Sequence, residues 1–287
     1  MVGASDGLDM RVLRDAHGDL HDVMMGSARL GRRGFMAGVA GLAGASDLLP
    51  GLARADRYGP QGGTRVLVIG DSMIAGGFGL YLARALGEDR GYDVTRRGKS
   101  SSGLSRPDFF DWPAEAKRLV GETPYDATVV MFGGNDVQGL YMGKGQWITW
   151  EDEGWSEEYA RRVNELADIV APAGQQLFWI GMPVMRPSKF HARVQRVNTI
   201  YRAEMAIRPS ASFVDIWSVL DNDDGEYSDH IYVTPDGAAE VPEGEEPPKR
   251  KKILVRAGDG IHLTVAGAHY LTNHIEQVVH AELSGEG

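Results

Sequence analysis

From Thr64 onward the chain alternates short apolar runs with longer amphipathic ones. The runs at 65–69, 92–95, 127–132, 176–180 and 212–216 are rich in β-branched and aromatic residues, which predicts strands. Between and after them, apolar residues recur at a helical period near 73–88, 111–121, 155–171, 189–207 and 264–283. Strands and helices in strict alternation require crossover connections, and crossovers build a parallel sheet covered on both faces. The pattern therefore predicts a single α/β domain over residues 56–287. It is expected to be a three-layer α/β/α sandwich on a five-stranded parallel sheet, flavodoxin-like. Residues 221–256 break the pattern, being Asp-rich, then Glu/Pro-rich, then basic at Lys249-Arg250-Lys251-Lys252. They read as an excursion from the domain, with the basic run a solvated loop that offsets the neighbouring glutamates.

The first 55 residues follow a different logic. Arg32-Arg33-Gly34-Phe35-Met36 precedes a weakly apolar stretch, Ala37 to Ala45, and then Ala53-Arg54-Ala55, a small-x-small sequence of the kind signal peptidase cuts. This segment resembles a twin-arginine export signal, which implies cleavage after Ala55 and a periplasmic or secreted protein. The competing reading is a disordered cytosolic extension. Residues 1–23 make a long leader, and Met24 or Met25 offers an alternative start to Met1.

Composition narrows the function. With 43% hydrophobic and 24% charged residues the chain can bury a core and is globular. No apolar run reaches the length of a membrane span. Forty acidic residues against 30 basic ones give a net charge of -10, which disfavours nucleic acid, whose binding rests on Lys and Arg. The absence of cysteine removes disulfides, thiolate nucleophiles and zinc-thiolate sites together.

In a parallel sheet, chemistry gathers where strands end and helices begin. The first strand ends in Gly70-Asp71-Ser72-Met73, the second is followed by Gly98 to Gly103, the third ends in Gly133-Gly134-Asn135-Asp136, and Asp259-Gly260-Ile261-His262 precedes the last helix. These blocks, in this order, resemble the SGNH (GDSL-type) hydrolase superfamily, over roughly Arg65 to Leu283. The words at 106–113 and 181–186 resemble those of an exported bacterial subgroup.

The resemblance implies a serine esterase. A serine hydroxyl needs an adjacent base, and the base needs a group that fixes its tautomer. Ser72, His262 and Asp259 fit these roles as nucleophile, base and orienting carboxylate. The oxyanion is assigned to the backbone N–H groups of Ser72 and Gly103 and the Asn135 side chain. Gly98 is an alternative for the middle donor. No metal or cofactor is implied, and the expected partner is a small-molecule or glycan acyl ester.

Several decoys fail on spacing. Gly98-Lys99-Ser100 lacks the earlier glycine of a phosphate-binding loop, because position 93 is Asp. Residues 98–102 end in Ser where a nucleophile elbow needs Gly. The other histidines show no metal spacing, and Asp221-Asn222-Asp223-Asp224-Gly225 lacks the later Glu of a calcium loop. After Asn135, Tyr141, Trp147, Trp150 and Trp155 gather in one segment that holds half of the six tryptophans. Trp147 and Trp150 are the candidate substrate-binding residues, a wall for a sugar ring or an acyl group; the alternative is that they pack the loop onto the body. Polar residues near Ser72, with no long apolar lid, favour O-acetyl or other short acyl esters on an envelope glycan. Acyl transfer to a polysaccharide with the same residues, a lipase or lysophospholipase, and a silent carbohydrate-binding envelope protein are the rival readings.

Overall fold

The computed structural model describes residues 55–222, 224–234 and 249–285. The expected export signal, apart from Ala55, and the Glu/Pro-rich part of the excursion lie outside the described residues. Ten strands and six helices run in the order β1 (Asp56–Tyr58), β2 (Arg65–Gly70), α1 (Ser72–Ala75), α2 (Gly77–Arg84), β3 (Asp93–Gly98), α3 (Trp112–Glu122), β4 (Ala127–Met131), β5 (Leu140–Gly143), β6 (Gln146–Ile148), α4 (Trp155–Val170), β7 (Gln176–Ile180), α5 (Ser188–Ala206), β8 (Ala211–Val214), β9 (His230–Val233), β10 (Lys251–Leu254) and α6 (Val265–Ser284) among the described residues. This is the architecture of one unit, Arg54–Val233 with Lys251–Gly287.

The main sheet has the order β1–β3–β2–β4–β7–β8. Five of its strands are parallel, as the apolar runs predict, and β1 adds an antiparallel edge beside β3. β2, β4 and β7 are almost wholly buried, which is why they read as continuous apolar runs and not as alternation. The chain steps from β2 to β3 in one direction and then crosses back over β2 to β4. Right-handed crossovers consequently place α2 on one face and α3, α4 and α5 on the other. α6 returns to pack on α2, completing three layers. The point of reversal, at the carboxyl ends of β2 and β4, is where an open α/β sheet leaves a crevice.

The expected helix over 73–88 is broken. Gly76 is extended at φ −87° and ψ −160° and separates α1 from α2, and the last turn widens into a π-helical turn at Ala85–Asp89. Two consecutive glycines, Gly76 and Gly77, make the break inexpensive, because glycine loses more backbone freedom in a helix than other residues do. The excursion also differs from expectation. Lys251 and Lys252 are exposed but belong to β10, which pairs antiparallel with β9. A second hairpin, β5–β6, carries Tyr141 and Trp147 of the aromatic segment. Among the described residues no helix is long and apolar enough to cross a membrane.

Candidate active site

The ends of β2, β3 and β4 are level, with Gly70 opposite Gly98 on one side and Met131 on the other. The segments that follow them therefore emerge at one edge of the sheet. Asp71 caps α1 by accepting from the Met73 N–H at 3.0 Å, which sets the sharp strand-to-helix turn and leaves Ser72 partly exposed at its apex. The last piece comes from the far end of the chain. The Asp259 carboxylate accepts from the Ile261 and His262 N–H groups at 2.8 and 2.9 Å, folding the turn back on itself. Arg256, 1% exposed, fixes the same turn from inside by donating to the Ile261 carbonyl at 3.3 Å and the Val184 carbonyl at 2.9 Å.

The turn delivers His262 to Ser72. His262 Nε2 lies 3.0 Å from Ser72 Oγ, and its Nδ1 lies 2.6 Å from Asp259 Oδ2. A carboxylate on one nitrogen places the ring proton there and leaves the other nitrogen as an acceptor for the hydroxyl. The electrostatics agree with this polarity. Its hydrogen bond to Asp259 pushes the His262 imidazole above its ordinary pKa despite the opposing effect of burial. The same bond holds the Asp259 carboxyl well below the usual carboxylate range. A hydroxyl, an imidazole and a carboxylate in series can accept the hydroxyl proton as the oxygen attacks an electrophile.

The opposite wall brings together the loops after β3 and β4. Asn135 Nδ2 donates to the Ser102 carbonyl at 3.0 Å, which occupies one of its two N–H groups. The N–H groups of Ser72 and Gly103 take no partner among the described residues. Gly98 is placed differently: it is the last residue of β3, and a Cβ there would collide with the Ala75 backbone of α1. It serves close packing of helix on strand, whereas Gly103 lies in the loop beyond. Ser101 holds a left-handed φ of 61° in that loop. The bonds from Ser102 Oγ to the Lys99 carbonyl and from Trp112 Nε1 to Ser102 Oγ, 2.6 and 2.9 Å, hold it there.

Some site residues were not foreseen. Asp71 is fully buried immediately before Ser72, and burial, with Asp136 nearby, pushes its pKa up to about 7. Its Oδ2 takes no well-formed hydrogen bond among the described residues. Asp136, also fully buried, accepts from the Ser105 N–H and the Tyr159 hydroxyl, both at 2.8 Å, and burial raises its pKa too. Tyr159 in turn bonds Tyr201 at 2.7 Å. The sequence signal was faint: an Asp after Asn reads as a turn residue, and tyrosines on an apolar helix stripe read as core.

The aromatic segment divides. Trp155 is fully buried, its Nε1 bonded to the Gln138 carbonyl at 2.7 Å. Trp150 is partly buried and packs against the core, with the Arg193 and Arg196 guanidiniums each 4.8 Å from its ring. Trp147 is 44% exposed, edge-on to Tyr141 and under the Arg106 guanidinium. A cavity of about 380 Å³ opens between the loop after β3, the β5 strand and α4, with Gly103, Phe110, Trp112, Tyr141 and Arg162 in its walls. Ser72, Asn135 and His262 do not line it.

This strand order, with hydroxyl, imidazole, carboxylate and the loops after β3 and β4 at one sheet edge, defines a protein of the SGNH hydrolase fold. The chain belongs to the DUF459 family, described as "protein of unknown function", which matches residues 65–278. Similar solved structures share the fold. An alpha/beta hydrolase enzyme from the metagenome of Lake Arreo, Spain, is 17% identical at a TM-score of 0.50, over 74% of this chain and 93% of that one. The aryl esterase of M. smegmatis is 17% identical at 0.50, over 76% and 99%. A carbohydrate acetylesterase family member from Sinorhizobium meliloti is 17% identical at 0.50, over 77% and 100%. No curated protein sequence matches the chain.

Proposed function

We propose that the protein is a serine hydrolase of carboxylic esters, with Ser72 as nucleophile, His262 as base and Asp259 as its orienting group. The observation that carries this reading is the unbroken Ser72–His262–Asp259 series, 3.0 and 2.6 Å, assembled from sequence positions 190 residues apart. In this scheme His262 Nε2 takes the Ser72 proton as Oγ attacks the ester carbonyl, and then gives that proton to the departing alcohol. The Ser72 and Gly103 N–H groups and the second Asn135 N–H receive the oxyanion, and water, activated by the same histidine, releases the acyl group. Gly103 is preferred to Gly98 as the middle donor because its N–H takes no partner among the described residues while Gly98 is used in packing.

The substrate in this reading is a short acyl ester, O-acetyl above all, on a glycan of the cell envelope, met after export. Support comes from the polar or small exposed residues near Ser72, namely Gly76, Gly77, Ser100 and Ser101. An enzyme selecting long chains would gain about 0.8 kcal/mol per buried methylene and would need an apolar lining to do so. Exposed Trp147 offers a ring face to a sugar, and the fold is one on which an aryl esterase and a carbohydrate acetylesterase family member are built. The test is a series of p-nitrophenyl esters of increasing chain length, with an acetylated polysaccharide supplied as donor and as acceptor. Falling kcat/KM with chain length and release of acetate are expected. Higher efficiency on chains of eight or more carbons would move the assignment to a lipase, and acetyl groups appearing on the acceptor would move it to acyl transfer.

A further inference from the structure

We propose that Asp136 is the positioning residue of the oxyanion wall, clamping the Gly103 loop to the Asn135 loop; the inference rests on the hydrolase reading above. The geometry is specific to these two loops. Asp136 Oδ1 accepts the Ser105 N–H at 2.8 Å, two residues beyond Gly103. The α-carbon of Gly103 packs directly on the same carboxylate, so that a Cβ there would overlap it. In the other direction Asn135 Nδ2 holds the Ser102 carbonyl at 3.0 Å, and Ser105 Oγ donates to the Asn135 carbonyl at 3.3 Å. Every tie lies within two residues of Gly103 or within one of Asn135.

The clamp is anchored to the body from behind. Tyr159 on α4 donates to Asp136 Oδ2 at 2.8 Å and reaches Tyr201 on α5 at 2.7 Å. One turn along α4, Arg162 spans to the same loop, its Nη1 donating to the Leu104 and Ser105 carbonyls at 2.8 and 3.2 Å. Glu158 pairs with the Arg162 Nε at 2.7 Å and fixes the guanidinium. The loop from Leu104 to Ser105 is thus held at its N–H by a carboxylate and at its carbonyls by a guanidinium.

Stability alone does not account for this arrangement. A buried carboxyl carries a desolvation cost that apolar packing would avoid, and replacing buried polar groups by well-packed apolar ones is often neutral or stabilising. A polar clamp does fix distance and direction, which hydrophobic contact does not. Donors that must meet a developing charge lose effect steeply when displaced, with about 1 Å worth on the order of 10²-fold in rate. Asp136 touches neither Ser72 nor His262 through any hydrogen bond, so it acts through the donors it places.

The experiment measures kcat and KM on p-nitrophenyl acetate for the full chain, with melting temperatures alongside. Asp136→Asn keeps an acceptor for the Ser105 N–H and is expected to lose about tenfold in kcat with KM little changed, whereas Asp136→Ala is expected to lose roughly 10²–10³-fold, as for an absent donor. Tyr159→Phe, which frees one carboxylate oxygen, should fall between wild type and Asp136→Ala. Gly103→Ala pushes on the clamp from the other side, and the double variant Gly103→Ala/Asp136→Ala should lose no more than the worse single variant. If Asp136→Ala fails to fold, Asp136→Asn and Tyr159→Phe still decide. Wild-type kcat in both, with Ser72→Ala inactive, would overturn the clamp and leave the hydrolase reading intact. Losses confined to KM, or additive losses in the double variant, would also overturn it. A Ser72→Ala protein as active as wild type would overturn the hydrolase reading and the clamp with it.

Discussion

Ser72 and His262 are partly exposed, Asp259 is exposed, and the chain between the serine and the histidine spans 190 residues. Gly103 and Asp136, across the site, are buried and belong to loops tied by hydrogen bonds to each other and to α4. The difference follows from what each side would have to do. A group that passes a proton needs one good contact at each end and access for ester, alcohol and water. A group that stabilises charge by position needs its neighbours fixed in advance, since reorganising at the moment of reaction would cancel the gain. Substitutions on the first side should therefore abolish chemistry without disturbing the fold, and those on the second should grade from rate into stability.

The largest effect is expected at Ser72. Ser72→Ala should lower kcat on p-nitrophenyl acetate by several orders of magnitude, His262→Ala should match it, and the double variant should be no worse, because such groups act as a unit. Melting temperatures should stay near wild type, since neither side chain is part of the buried core. A Ser72→Ala protein retaining a tenth of the activity would break the comparison at its first step.

Asp259→Asn should cost up to about 10⁴-fold by allowing the wrong tautomer. It should also move a pH limb. His262 must be neutral to accept the proton, and its hydrogen bond to Asp259 raises its pKa, so wild-type kcat/KM should rise with pH through a value above that of a free histidine. Without the carboxylate that main cause disappears. The acid limb of Asp259→Asn should lie at lower pH even though its plateau is reduced, and an unmoved limb would detach Asp259 from His262.

On the other wall, Asn135→Ala should lose roughly 10²–10³-fold in kcat, as for one oxyanion donor. A loss that appears only in KM would make Asn135 a substrate-binding residue. The smallest effects separate two tryptophans. Trp150→Ala removes a ring packed against the core and should lower the melting temperature while leaving the chemistry in place. Trp147→Ala should leave the melting temperature alone and raise KM several-fold on an acetylated glycan but not on p-nitrophenyl acetate. The opposite pattern would reverse the assignment of wall and packing.

Much of this was legible in the chain because the signals are local. The run Gln176–Ile180 is β7 to the residue, since a strand buried on both faces writes itself as an apolar run. Ser72, Asn135 and the Asp259–His262 turn could be read because each lies at the end of an element whose position the pattern fixes. β1 could not, because Asp56–Tyr58 is short and polar and becomes a strand only through its pairing with β3. Nor could β9–β10, whose partners are separated by the aperiodic acidic stretch. Asp136 eluded the sequence for a similar reason. Its environment comes from Ser105, Tyr159 and Gly103, which only the closed fold brings together. Sequence spacing leaves wall and packing open for Trp147 and Trp150, because it gives proximity and not which side of a loop a ring faces.

The central claim is that Ser72 becomes acylated with His262 as its base. Intact-mass spectrometry after mixing the protein with p-nitrophenyl acetate at millisecond to second times, followed by peptide mapping, measures this directly. The account predicts a transient gain of one acetyl group on Ser72, accompanied by a burst of p-nitrophenol, with the adduct absent in Ser72→Ala and forming much more slowly in His262→Ala. Steady ester turnover with no acetyl on Ser72, or an adduct that forms equally well without His262, would contradict it.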